Sequence, residues 1–326
     1  MTDKVIEVKN LSKTFFVKDK EAGLLGSFKS FFSNKRRKIE AVNSIDFDIN
    51  AGEMIGFIGP NGAGKTTTLK MLSGILYPTD GQIEVLGYKP FERKHDFLKK
   101  ISLVMGQKNQ LLWDLPAIDT FNLNKEVYEI SKKEYQETLE ELIEIFEIKD
   151  ILNQQVRKLS LGQRMKCELV ASILHNPKIL FLDEPTIGLD ILIQKKLRKF
   201  IKEYNKKFGT TVILTSHYMD DVKEIAERII IINEGSLVFD NSISELSHKF
   251  ANYKLLSLTL NTDANEGELK QLGDINYNFP KLEIKVTPSK TAEVTSQVLK
   301  LLDVDDIDIS DPKLEDIVAK IFETKR

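Results

Sequence analysis

The chain has 326 residues, with 47 Lys and Arg against 49 Asp and Glu and a formal net charge of −2. That balance gives no global pull toward nucleic acid or an anionic membrane, and the length fits one large domain or two smaller ones. A single cysteine, Cys167, cannot form an internal disulfide and fits a reducing compartment, and no apolar run reaches the ~18–20 residues that span a bilayer.

The opening MTDKVIEVKN has no apolar core of the signal-peptide kind. The expectation is a soluble chain that reaches a membrane only through a partner. Alternating or continuous apolar runs predict strands at about 4–9, 45–50, 53–59, 82–86, 101–105, 178–183, 210–215 and 228–233. Helical periodicity fills about 64–73, 119–150, 161–174, 191–207 and 218–226. Strands alternating with helices predict an α/β fold with a mainly parallel, covered sheet. Residues 18–38, KDKEAGLLGSFKSFFSNKRRK, interrupt what reads as neighbouring strands. Their Leu24, Leu25, Phe28, Phe31 and Phe32 at near-helical spacing, followed by Lys35 to Lys38, suit docking to a membrane surface or a membrane partner, or else a solvated loop with its aromatics tucked onto the domain. After about residue 245 the texture changes to a second set of elements. Alternation at 253–260 and 281–287, helices near 263–272, 289–302 and 312–323, and a strand near 305–309 predict a small split βαβ tail.

Residues Gly59 to Thr66, GPNGAGKT, fit the G-x-x-x-x-G-K-[ST] pattern between a predicted strand and a predicted helix. Gly62 and Gly64 let the backbone curl so that its N–H groups point inward at phosphate. Lys65 reaches the β- and γ-phosphates, and Thr66 places its hydroxyl on Mg²⁺. A second signal is KILFLDEP, which sets Asp183 and Glu184 at the carboxyl end of an apolar strand, where α/β sheets keep their active sites. Asp183 is expected on Mg²⁺ and Glu184 as the general base for an attacking water. Far from the phosphate loop, LSLGQ at 159–163 reads as the capped start of a helix, a natural anion site without a cation of its own.

These motifs, in this order, resemble the ATP-binding subunits of ABC transporters over about residues 4–245. GPNGAGKT resembles the Walker A loop, ILFLDE the Walker B strand, and LSLGQ the signature usually written LSGGQ, with Leu161 in place of its first glycine. Gln107 resembles the Q-loop glutamine, Asp190 in GLD the D-loop, and His217 in TSH the switch histidine. The resemblance implies a P-loop ABC ATPase core (1–245) with an antiparallel β subdomain. A helical subdomain at about 110–175 carries the signature, and a small α+β domain follows at 246–326.

It also implies roles. Gly59, Pro60, Asn61, Gly62, Ala63, Gly64, Lys65, Thr66 and Thr67 would cradle ATP. Thr66, Gln107 and Asp183 would serve Mg²⁺, and Glu184, His217 and Gln107 would act in hydrolysis. Ser160, Gly162 and Gln163 would meet the γ-phosphate held by a second ATPase subunit, a second copy or a related chain, with Asp190 bridging the two. Adenine would stack on Phe15, with Phe16 turned to the core, since consecutive strand residues face opposite ways. Leu111, Leu112 and Trp113 are either contacts for a separate transmembrane permease or core of the helical subdomain. The implied function is an exporter ATPase on the cytoplasmic face of the cell membrane, with no nucleic-acid partner. The rival readings are an importer ATPase, a soluble ATPase of the same type, and a regulatory switch.

Overall fold

A computed structural model describes residues 3–18, 36–106, 109–250 and 253–323. The chain divides into two compact units between Asp240 and Asn241. In the first unit, β1 (Lys4–Lys18) pairs antiparallel with β2 (Arg36–Asn50) and with β4 (Asp80–Val85). Both β1 and β2 run well beyond the expected strands. Register shifts at Val8/Leu11, Leu11/Lys13 and Lys13/Thr14 break the two-residue alternation that would have announced the extra length. Of the interrupting segment expected at 18–38, residues 19–35 lie outside the described residues, while Lys18 ends β1 and Arg36 to Lys38 open β2.

The second sheet of this unit has the order β5 (Ile101–Met105), β6 (Ile179–Asp183), β7 (Thr211–Thr215), β3 (Met54–Ile58), β8 (Arg228–Asn233), β9 (Ser236–Ser242). The β5–β6, β6–β7, β7–β3 and β3–β8 pairs are parallel. All five residues of β6 and of β7 are buried, as strands covered on both faces must be. α1 (Lys65–Leu72) follows β3 and the short α2 (His95–Leu98) precedes β5.

The expected helix at 119–150 is two helices, α3 (Ala117–Val127) and α4 (Lys132–Phe146). Glu129 takes φ 55 after α3, and Ser131 caps α4 by accepting from the Glu134 N–H. Periodicity alone runs across such a break, because the apolar residues on both sides face one core. That core holds Phe121, Leu139, Leu142 and Phe146 together with Met165 and Leu169 of α5 (Leu161–Ile173). Cys167 is buried there as a free thiol, and burial pushes its pKa up to about 12. α6 (Ile191–Phe208) and α7 (Met219–Ile225) complete the unit. The buried Phe and Ile side chains each contribute roughly 1.5–3 kcal/mol relative to exposure.

The second unit begins with α8 (Ile243–Phe250), a helix without a sequence-based expectation. Its four-stranded sheet has the order β11 (Asp274–Asn278), β12 (Lys281–Val286), β10 (Lys254–Leu260), β13 (Val304–Ser310), with every neighbouring pair antiparallel. The connections are β10–α9 (Glu266–Leu269)–β11 and β12–α10 (Thr291–Leu301)–β13, so two split βαβ units interlock around the central β10–β12 pair. Leu256, Leu258 and Leu260 of β10 share one buried face with Leu282, Ile284 and Val286 of β12, under Leu269 and Val298. β11 (DINYN) is too polar to read as a strand from its side chains. Its ladder to β12 defines it instead. α11 (Leu314–Glu323) closes the described chain.

Candidate nucleotide-hydrolysis site

The phosphate loop joins the carboxyl end of β3 to the start of α1. Gly64 precedes α1 at φ 107, and a Cβ there would lie 2.3 Å from the Ala41 carbonyl oxygen. Only glycine satisfies both conditions. A cleft of about 280 Å³ opens over the loop, lined by Asn61 to Thr67, Lys70, Met105, Gly106, Asp183, Glu184 and His217. Residues separated by more than 150 positions therefore meet at one end of the sheet. Lys65 is buried, and its Nζ donates to the carbonyls of Gly59 at 2.6 Å and Pro60 at 3.1 Å. Burial lowers its pKa, opposed by the nearby Glu184 and Asp183 carboxylates.

Asp183 ends β6. It accepts from Thr66 Oγ1 at 3.0 and 2.8 Å on its two oxygens, and from Thr215 Oγ1 at 2.7 Å. Thr215 Oγ1 in turn accepts from the Glu184 N–H at 3.1 Å. Glu184 stands at φ 56, left-handed backbone that a non-glycine residue rarely adopts. Its Oε2 accepts from the His217 N–H at 3.1 Å. Its Oε1 lies 3.2 Å from His217 Nε2, yet no aligned hydrogen bond reaches this buried oxygen. Burial raises the Glu184 pKa, opposed by His217 and Lys65. An orphaned, desolvated carboxylate oxygen in a phosphate cleft is chemically suited to receive a proton from water.

The LSLGQ turn is built differently. Ser160 caps α5 through a complete capping box: its Oγ accepts from the Gln163 N–H at 3.2 Å, and Gln163 Oε1 accepts from the Ser160 N–H at 2.9 Å. Leu161 is the first helical residue, so no left-handed backbone is required of it. Its side chain lies on Gly188, where a Cβ would come within 2.6 Å of Leu161 Cδ2. Gly162 backs onto Ile193 in the same way. Asp190 caps α6, accepting from the Ile193 N–H at 3.0 Å. None of Ser160, Gly162, Gln163 and Asp190 lines the cleft.

Residues 42–187 match the model of the ABC transporter family, and residues 252–310 match that of the EvrA-like ABC transporter C-terminal domain. The ABC transporter ATP-binding protein NatA of Bacillus subtilis (strain 168) is 30% identical over 215 residues, 66% of this chain and 87% of NatA. The chain belongs to the ATP-binding subunits of ABC transporters. As a member of that family it binds ATP and is an ATP hydrolase. The linearmycin resistance ATP-binding protein LnrL of the same organism is 29% identical over 288 residues, 84% of this chain and 91% of LnrL. Among solved structures, the dimeric bacterial ABC transporter cassette MJ0796 superposes with a TM-score of 0.61 at 25% identity, covering 73% of this chain and 98% of the cassette.

The remaining expected residues of this ABC subunit divide. Gln107 lies outside the described residues. Phe15 is half-buried with Lys13 Nζ 5.2 Å from its ring centre, but it does not line the cleft. Phe16 is 62% exposed and so is not core, because the end of β1 pairs only with the outer end of β2. Leu111 is core of the helical subdomain. Leu112 and Trp113 are exposed, with Arg164 5.7 Å above the Trp113 ring. Leu115, Leu123 and Val127 are also exposed.

Three side chains without a sequence-based expectation stand in this machinery. Thr215 ties Asp183 to Glu184. Glu168, buried on α5, accepts from the N–H groups of Gln110 and Leu111 and so ties the segment after β5 to the signature helix. Burial raises the Glu168 pKa. Asp221, fully buried, is the third. An acid inside an otherwise apolar helical face is the one sequence signal that marks Glu168 and Asp221.

No helix of the described residues is long and apolar enough to cross a membrane.

Proposed function

We propose that this chain is the ATPase of an exporter whose permease is a separate chain at the cell membrane, and that two cassettes close head to tail around two ATP molecules. The observation that carries the reading is the split between two surfaces. The lysine, the acids and the histidine gather in one cleft, while Ser160, Gly162, Gln163 and Asp190 line none of it. A second cassette, identical or related, would supply those groups across an interface, and the solved dimeric cassette provides a precedent for such pairing. The resistance relative LnrL favours export. The exposed Leu112 and Trp113 offer an apolar contact for a permease.

The residues fit Mg²⁺. Among the described residues no group of three or more His, Cys, Asp or Glu could hold a metal alone. Thr66 and Asp183 instead place hard oxygen donors side by side, the small set that a magnesium ion shared with phosphates requires. Bound there, Mg²⁺ would neutralise charge on the phosphate oxygens. Lys65 binds the β- and γ-phosphates, exchanging its bonds to Gly59 and Pro60 for charge-assisted ones. Glu184 Oε1 orients a water in line with the γ-phosphorus and takes its proton as the O–P bond forms and the bond to the β-phosphate oxygen breaks. His217 holds Glu184 through its backbone N–H and faces the γ-phosphate with its ring. Phe15 remains the proposed adenine platform.

The test is Glu184→Gln in MgATP, followed by light scattering. ATP should drive the variant from monomer to dimer, and Lys65→Ala should abolish the transition. A variant that stays monomeric at high concentration, together with an isolated membrane complex containing one cassette, would overturn the reading.

A further inference from the structure

Asp221 lies in the first turn of α7 and is wholly inaccessible to solvent. Its Oδ1 accepts from Arg198 Nη1 of α6 at 2.7 Å. Its Oδ2 accepts from two hydroxyls at once, Thr186 Oγ1 at 2.5 Å and Ser216 Oγ at 2.7 Å. Thr186 is the second residue after Glu184. Ser216 immediately precedes His217, and its Oγ also accepts from the Tyr218 N–H at 3.0 Å. The loops leaving β6 and β7, which carry Glu184 and His217, are thus pinned to a single carboxylate oxygen on a third element.

We propose that Asp221 is a positioning residue for hydrolysis: through Thr186 and Ser216 it sets the spacing between Glu184 and His217. The proposal rests on the reading of Glu184 as the base. A carboxylate buried only to pair with Arg198 would be satisfied by that cation and by any nearby donors. Here both donors to the other oxygen come from the two loops whose separation decides the chemistry. Arg198 completes the assembly by neutralising the charge, with its Nε 3.0 Å from Glu224 Oε2. The direct contact between Glu184 and His217 is one backbone bond and one close approach without aligned geometry. Thr215, at the end of β7, adds a bond from the Glu184 N–H, and Asp221 is the support that reaches both loops beyond these residues, at Thr186 and Ser216. A misplacement of about 1 Å at a reacting group is worth roughly a hundredfold in rate.

The experiment uses the full chain with Thr186→Val and Ser216→Ala, each removing one hydroxyl donor, and Thr186→Ser, which keeps it. Turnover is expressed per mole of bound non-hydrolysable ATP analogue, so that unfolded protein does not count. The expected result is a fall in kcat of about tenfold or more for Thr186→Val and Ser216→Ala, with KM for MgATP within about twofold of the parent and near-parental kcat for Thr186→Ser. Normalised kcat within twofold of the parent in both hydroxyl-deleted variants would overturn the proposal. A loss confined to the amount of nucleotide-competent protein would also overturn it, since it would show a purely structural network. Glu184→Gln is assayed in parallel: parental turnover in that variant would refute the base assignment itself, whatever Thr186 and Ser216 do.

Discussion

The cleft and the LSLGQ turn are built in opposite ways, and on the reading proposed above both would face one phosphate. In the cleft, groups from β3, β6 and β7 are cross-linked by Thr66, Thr215 and the His217 backbone, and the arrangement leaves Lys65 buried and Glu184 Oε1 unbonded. The turn holds no such tension. Ser160 and Gln163 satisfy each other, and Leu161 and Gly162 rest on the 188–193 segment. Reactivity is concentrated where long-range packing forces unlike groups together. The turn is a self-contained helix end whose first backbone N–H groups have no intrahelical partner.

The comparison breaks most sharply at Glu184. Glu184→Gln should lower kcat by about 10²–10⁴-fold with ATP binding retained, as loss of a general base does; a steady-state assay beside nucleotide titration checks it. Ser160 comes next. Ser160→Ala should cost about 1 kcal/mol of stability through the lost cap and should also lower turnover. Ser160→Asp sharpens the point, because aspartate restores the cap but repels phosphate: stability should recover while turnover stays low. If turnover recovers as well, the serine is only a cap.

A smaller effect is expected at Leu161. The side chain is 39% exposed, so Leu161→Gly should destabilise by about 1 kcal/mol, mostly backbone entropy. Turnover should move by less than about threefold. A rise of orders of magnitude would mean that the native turn is impaired. The last expected effect is on pH dependence. Burial raises the folded-state pKa of Glu184, so the carboxylate destabilises the native state once pH climbs above the ordinary carboxylate range. Glu184→Gln should therefore raise the melting temperature at pH 7. The gain should vanish in acid below that range, where Glu184 is protonated in both folded and unfolded chains.

Much of this was legible in the sequence, and the reasons differ by element. The Walker A loop and the acidic pair are local patterns between apolar strands, so Lys65, Asp183 and Glu184 fall where those patterns put them, at one sheet end. The parallel core was visible because β6 (ILFLD) and β7 (TVILT) each carry a continuous apolar run, as strands buried on both faces do. What stayed hidden depends on pairing across the chain. The outer halves of β1 and β2 are stabilised by each other through shifted registers, and β11 by its hairpin partner. The break between α3 and α4 rests on a cap that leaves the apolar period intact. Thr215, Glu168 and Asp221 are ordinary polar residues until the fold brings their partners, 31 or more positions away for Thr215 and 57 or more for Glu168, within reach.

The buried thiol on the signature helix has a practical consequence. Cys167 is the sole cysteine in 326 residues, and its high pKa leaves almost no thiolate at neutral pH. The native subunit should ignore alkylating dyes, and any labelling should time the moments when α5 swings away from its neighbours. The unmodified protein thus carries its own reporter of breathing in the helical lobe.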